Sequence, residues 1–147
     1  MGFIVAWIKN QKKIVYKKKT ISNTDLYNVL RFYGVKCPIY LADNSYEIID
    51  FNELVKLVRS IDTFKLKYKK EVFDCDDYSV LFYVRAKVGT KRAIGIAWSK
   101  THAFNIAICH YKDYVELFVI EPQLGDVYTY DSIKDNKMYR IDRFVLM

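Results

Sequence analysis

Glycine and proline are scarce in this chain, at 5 and 2 of 147 residues, which excludes collagen-like and linker-like sequences. No stretch approaches the roughly 18 consecutive apolar residues that a membrane-spanning helix needs, so we expect no membrane partner. The start, MGFIVAWIKN, has no basic region before its short apolar run, and it therefore predicts no signal peptide. We expect an intracellular, cytoplasmic protein.

Cysteine and histidine are also rare. The three cysteines, Cys37, Cys75 and Cys109, are widely spaced and form no CxxC pair, which argues against a zinc ribbon or a thioredoxin-like site. Their odd number argues against a secreted disulfide framework. The two histidines are His102 and His110, so any imidazole chemistry depends on one of them.

Apolar and aromatic residues are abundant, at 52% and 16%, and they predict a folded protein with a substantial core. The length predicts a single domain over residues 1–147. The net charge of +7 is concentrated in two lysine-rich stretches, residues 9–19 and 65–70. Such stretches usually face solvent. The alternative interpretation is that they bind an acidic protein or a nucleic acid. No RNP-like motif, recognition helix or zinc finger favours nucleic acid.

The first ninety residues predict mainly helices. Two short strands around a turn at residues 9–13 come first. Three helices follow, each preceded by a capping residue. Their predicted ranges are 25–33 after Thr24, 51–62 after the Asp50–Glu53 capping box, and 75–88 after Asp74 and before Gly89.

After Gly89 the apolar pattern changes to an alternation of period two, which is typical of strands. The predicted strands are 93–98, 102–111, 114–121, 126–130 and 139–146. Helices followed by strands indicate an α+β fold, with N-terminal helices packed on one side of a C-terminal antiparallel sheet.

A predicted hairpin brings His102 close to Glu121. If strands 102–111 and 114–121 turn at residues 112–113, Tyr111 faces Tyr114 and His102 faces Gln123. His102 and Glu121 then become diagonal neighbours on one face, roughly 7–8 Å apart at the backbone. A carboxylate on an otherwise apolar strand face needs a partner, and His102 is the evident one.

Cys75 is predicted to begin the third helix, where the positive end of the helix dipole and free N–H groups favour a thiolate. The neighbouring carboxylates of Asp74, Asp76 and Asp77 oppose it. With His102 and Glu121, Cys75 makes a Cys-His-Glu set suited to nucleophilic catalysis.

Each of the three residues also has a structural interpretation. Cys75 is equally typical of a small buried apolar residue, and His102 of a hydrogen-bonded residue at the end of a strand. Glu121 is also typical of a structural partner for a lysine or an arginine.

Three motifs in order, FDCDDYSV, WSKTHAFNIAI and LFVIEPQLGDVY, resemble a small branch of the papain-like and transglutaminase-like cysteine hydrolases. That branch includes the cysteine-protease domain of the fungal galactose-binding agglutinin and uncharacterised phage, viral and bacterial proteins. The resemblance covers residues 40–130 and implies a papain-like fold. It implies Cys75 as nucleophile, His102 as general base and acid, Glu121 as its orienting acid and Gln123 as support. Phe104 stands where tryptophan is frequent.

The resemblance implies a peptidase or amidase that forms a thioester acyl-enzyme with a peptide or protein substrate, in the cytoplasm, including that of a virus-infected host cell. The sequence does not distinguish hydrolysis of the acyl-enzyme from transfer of its acyl group to an amine. No cofactor is required, but the resemblance suggests calcium near Asp74, Asp76 and Asp77. The alternative is a catalytically silent binding protein of the same fold. Such a protein would use its basic N-terminal face for an acidic protein or a nucleic acid.

Overall fold

A nine-stranded mixed sheet forms the centre of the molecule in a computed structural model that describes residues 2–147. Its order is β1-β2-β9-β8-β7-β11-β4, while β10 also pairs with β9 and β6 with β8. The remaining strands, β3 and β5, pair with each other. The strands are β1 (Ile4–Ile8), β2 (Gln11–Val15), β3 (Thr20–Ser22), β4 (Ile39–Tyr40), β5 (Ser45–Glu47), β6 (Ile49–Asp50), β7 (Ile94–Trp98), β8 (Ala103–Tyr111), β9 (Tyr114–Glu121), β10 (Asp126–Thr129) and β11 (Phe144–Leu146).

The helices are α1 (Asn23–Phe32), α2 (Phe51–Ile61), α3 (Cys75–Lys87) and the short α4 (Tyr130–Ile133), with 3-10 turns at Thr63–Lys65 and Lys137–Tyr139. The capping box at Asp50 and Glu53 is confirmed, and so is the start of α3 after Asp74. The predicted cap at Thr24 is wrong. The hydroxyl of Ser22 accepts the hydrogen bond of the Asp25 amide at 3.1 Å, and α1 begins two residues earlier than predicted. None of the described helices is long and apolar enough to cross a membrane.

The α+β class is confirmed, but the sheet is not a purely C-terminal antiparallel one. The N-terminal hairpin β1-β2 joins it beside β9, and two pairings are parallel, β6 with β8 and β11 with β4. The predicted strand 139–146 is also shorter. Tyr139 ends a 3-10 turn that the Asn136 side chain caps, and β11 begins only at Phe144.

The helices pack on both faces of the sheet, so the prediction of one side is wrong. Leu26 and Val29 of α1 share a core cluster with the even-numbered residues Phe104, Ile106 and Ile108 of β8. Leu54 of α2 and Phe82 of α3 belong to a second cluster, with the odd-numbered residues Ala107 and Cys109 of β8. The physical reason is that residues 102–109 are all buried, and a strand buried on both faces must be covered on both.

The predicted hairpin register is confirmed. Tyr111 pairs with Tyr114 and Asn105 with Ile120, so even-numbered residues of β8 share a face with odd-numbered residues of β9. On the other edge of β8, Ala103 pairs with Trp98 of β7. This register sets the ends of β8 and β9 side by side, where the candidate site lies.

Candidate active site

His102 is held at the turn between β7 and β8. Its amide donates to the Ser99 hydroxyl at 3.0 Å, and its carbonyl accepts from the Ser99 amide at 2.9 Å. These bonds fix the backbone just before β8 begins. His102 is a buried residue, with an exposed fraction of only 6%. The ring therefore has a defined direction.

Glu121, the last residue of β9, is the partner of His102. One carboxylate oxygen, Oε2, lies 2.6 Å from His102 Nε2, so the contact expected from the hairpin register is confirmed. Glu121 is 2% exposed, and no lysine or arginine pairs with it among the ion pairs of residues 2–147. Because Nε2 faces the carboxylate, Nδ1 is the ring nitrogen left for a thiol or a substrate.

Two further donors hold the Glu121 carboxylate. The hydroxyl of Tyr139 donates to Oε2 at 2.9 Å, and the Gln123 amide donates to Oε1 at 3.2 Å. Gln123 thus contacts the site through its backbone. A buried carboxylate with three donors is well satisfied, which explains how an acid is tolerated beside apolar neighbours.

Tyr139 is the residue that the sequence reasoning missed. It lies outside the motifs, in a segment predicted to be a strand, and no pattern marked it. Its ring contacts His102 edge-on, with 5.6 Å between the centroids. Burial raises the pKa of Tyr139, and the charge and hydrogen bond of Glu121 raise it further, so its hydroxyl stays a neutral donor.

Cys75 is the first residue of α3, as predicted, and it is half-buried. The Asp77 carboxylate accepts from the Asp74 amide at 3.1 Å, which closes the first turn of the helix. The carbonyl of Cys75 accepts from Ser79, whose own carbonyl accepts from the Asn105 side chain on β8 at 3.0 Å. These contacts tie the start of α3 to the sheet.

The position of α3 puts Cys75 at the His102 end of the sheet. A short link, residues 88–93, joins α3 to β7, so α3 runs antiparallel to β7 and parallel to β8. Ser79 lies beside Asn105. Four residues back along a helix is about 6 Å, or roughly two residues of strand, which brings Cys75 level with Ala103. Among the hydrogen bonds of residues 2–147, the His102 ring bonds to Glu121 and not to the Cys75 thiol.

The other two cysteines are in different surroundings. Cys37 and Cys109 are both buried in the core clusters. Burial raises the pKa of both thiols, which keeps them protonated and unreactive. Cys75 is therefore the most accessible of the three.

The acids beside Cys75 are not equivalent. The Asp74 and Asp76 carboxylates and the Cys75 thiol lie within 4.8 Å of one another. A hydrogen bond between the two carboxyls, together with the Glu71 amide, lowers the pKa of Asp74, and that same bond raises the pKa of Asp76. Of the two acids, Asp76 is therefore the easier to protonate, and its protonation reduces the negative charge beside the thiol. Asp77 is outside this close group and caps the helix instead.

Five of the six lysines in the basic N-terminal stretch are exposed, and Lys13 is the exception. The sequence predicts Lys13 to be a surface residue like the other lysines, but it is buried, and its Nζ lies 2.6 Å from Glu116 on β9. Lys13 and Ile14 are consecutive residues on opposite faces of β2 and both are buried, so β2 is covered on both faces at this point. The basic surface therefore comprises Lys9, Lys12, Lys17, Lys18 and Lys19.

No family model matches the sequence, and no curated protein matches it significantly. Solved structures of a lectin from Polyporus squamosus do share its fold. The lectin PSL1a, solved as a complex with the cysteine protease inhibitor E64, superposes with a TM-score of 0.71 at 16% identity, over 94% of this chain and 54% of PSL1a. A second structure of the lectin holds the glycan Neu5Acα2-6Galβ1-4GlcNAc and gives a TM-score of 0.67 at 16% identity, over 99% of this chain and 67% of that one.

The chain thus has the papain-like fold of PSL1a and spans about half the length of that protein. The resemblance read from the three sequence motifs is confirmed at the level of the fold.

Proposed function

We propose that this papain-like chain is a cysteine hydrolase of amide bonds, most simply peptide bonds. The observation that carries the proposal is the buried Glu121 carboxylate, which holds His102 Nε2 at 2.6 Å and so leaves Nδ1 free. A half-buried thiol at the N-terminus of α3 lies at the same end of the sheet.

In the proposed first step, His102 accepts the thiol proton and the Cys75 sulfur attacks the substrate carbonyl carbon. The carbonyl oxygen becomes negative, and the backbone N–H of Cys75 at the helix start is suited to bind it. The C–N bond then breaks, and the imidazolium returns its proton to the leaving amine. The product is a thioester on Cys75.

In the second step, His102 takes a proton from water, and the hydroxide oxygen attacks the thioester carbonyl. The C–S bond breaks, the acid product leaves, and the proton returns to the sulfur. The Glu121 carboxylate orients His102 and stabilises the imidazolium throughout. An amine in place of water would give transamidation, and product analysis with and without added amine separates the two reactions.

Reaction with E64 tests the proposal, because this inhibitor was bound to the protein of like fold. We expect one adduct per chain, mapped by peptide mass spectrometry to Cys75, and none on the buried Cys37 or Cys109. The Cys75→Ala variant is the matched control and should stay unlabelled. Absence of an adduct, or an adduct on another cysteine, would contradict the proposal.

Calcium is the cofactor that the acidic cluster fits by its chemistry. Ligand atoms of Asp74, Cys75 and Asp76 lie within 4.8 Å of one another, and a divalent cation would offset the repulsion between the two adjacent carboxylates. Two carboxylates are fewer than the six to eight oxygens that calcium takes, so water must supply others. When bound, calcium would neutralise negative charge beside the Cys75 thiol.

Thermal unfolding with calcium, compared with EDTA, tests this site. Since each kcal/mol of binding raises the melting temperature by about 2–4 °C in a chain of this size, we expect a rise of several degrees. Asp76→Asn should abolish the rise, and Asp113→Asn, in the β8-β9 turn, should not. Equal shifts in both variants would show nonspecific binding.

A further inference from the structure

The strand β1 is an unprotected edge of the sheet. It ends the strand order and pairs with β2 alone among the described strands. Its sequence, IVAWI, has no charged residue, and Ile4 and Trp7 are each 70% exposed. Natural edge strands are usually short, charged or covered, because their free N–H and C=O groups recruit other strands. An apolar edge of five residues is therefore suited to receive another strand.

The turn of the hairpin shows which main-chain groups are free. Lys9 and Asn10 both have positive φ, 49° and 64°, as in the two-residue turns that favour hairpins. Ile8 and Gln11 flank the turn and form its closing hydrogen-bonded pair, and alternate pairs after it bond in the same way. Val5 and Trp7 lie between these pairs, so their N–H and C=O groups point away from β2 along the free edge.

The exposed charge of the β1-β2 hairpin is positive. Lys9 in the turn and Lys12 on β2 are exposed, and Lys12 lies over the Trp7 ring at 5.4 Å from its centroid. The lysines that follow β2 lie towards β8, where the Lys18 carbonyl is 2.9 Å from His110 Nε2. Of the nearby acids, Glu116 pairs with Lys13, Asp131 pairs with Lys134, and Asp25 accepts from the Gly2 amide.

We propose that β1 binds an extended acidic polypeptide segment by strand addition at its free edge. The outward main-chain groups of Val5 and Trp7 would bond the incoming backbone, and its acidic side chains would meet Lys9 and Lys12. A second copy of the chain is disfavoured, because edge-to-edge pairing would bring two lysine-rich hairpins together. A nucleic acid would use the lysines but leave the strand groups and apolar side chains without partners.

Binding of a fluorescein-labelled peptide of alternating glutamate and valine, EVEVEVE, tests the proposal by fluorescence anisotropy. An equally charged peptide with two consecutive prolines, EEPPEVE, lacks an N–H group towards either edge and cannot pair as a regular strand. We expect the first peptide to bind at least tenfold more tightly than the second. Equal binding of the two peptides would overturn the proposal, because it would show that charge alone determines binding. Displacement of both peptides by an oligothymidine of equal charge would overturn it for the same reason.

The Val5→Pro variant removes one outward N–H and keeps the bonds between β1 and β2, since a proline is tolerated where its position faces solvent. We expect it to bind EVEVEVE at least tenfold more weakly, with Val5→Thr as the matched variant that keeps the N–H. Undiminished binding by a folded Val5→Pro protein would overturn the proposal. If that variant does not fold, the two-peptide comparison on the unaltered chain decides.

Discussion

Replacement of His102 by alanine is expected to slow the reaction of Cys75 with E64 by about 10²–10⁴-fold, the usual contribution of a positioned general base. The physical reason is that the thiol loses the group that accepts its proton, while the helix start alone must then stabilise the thiolate. The second-order rate constant, measured by mass spectrometry over a time course, gives the effect. Because the change also removes one partner of the buried Glu121 carboxylate, urea denaturation checks that the variant is folded, with Tyr139 and the Gln123 amide still holding the carboxylate.

His110→Ala is the matched control for that variant. His110 is the other histidine of the chain, and it lies near the far end of β8, where its Nε2 is 2.9 Å from the Lys18 carbonyl. We expect the His110→Ala variant to react with E64 at the same rate as the unaltered chain. A rate that is the same in His102→Ala as in His110→Ala would show that His102 has only a structural role.

Removal of the Glu121 carboxylate is expected to have the largest combined effect on stability and reactivity. Glu121→Ala leaves three groups without their acceptor: the buried His102 imidazole, the buried Tyr139 hydroxyl and the half-buried Gln123 amide. Breaking a buried, hydrogen-bonded charge of this kind costs about 3–5 kcal/mol. We expect that loss in the free energy of unfolding measured by urea denaturation, together with slower E64 labelling.

Two milder variants separate the roles of the carboxylate and its neighbours. Glu121→Gln keeps an oxygen acceptor for His102 but loses the charge, so it should retain more stability than Glu121→Ala and still label slowly. Tyr139→Phe removes one donor and is expected to cost only about 1–2 kcal/mol. If Glu121→Ala were as stable as the unaltered chain, the buried network would not be the organising feature of the site.

Much of the site was accessible from the sequence because it depends on local rules. The Tyr111–Tyr114 turn and the two-residue period of β8 and β9 fix which residues share a face, and that placed His102 beside Glu121. The start of α3 followed from Asp74 as a capping residue. These inferences need only a turn, a period and a helix cap.

The parts that failed depend on contacts distant in the sequence. The apolar residues at consecutive positions of β8 do signal burial on both faces, but they do not say which helix covers which face. Tyr139 reaches Glu121 from a 3-10 turn that no period marks. Lys13 is buried only because β2 is placed next to β9, where Glu116 lies.

The pH dependence of Cys75 alkylation tests the central claim most directly, namely that Cys75 acts with His102 and Glu121 as an activated nucleophile. The reaction with iodoacetamide is measured at pH 6 and pH 9, with Cys75 modification followed by mass spectrometry. An ordinary thiol loses about two hundredfold in rate between pH 9 and pH 6. We expect less than a tenfold loss in the unaltered chain and the full loss in His102→Ala. The full loss in both proteins would contradict the proposed site.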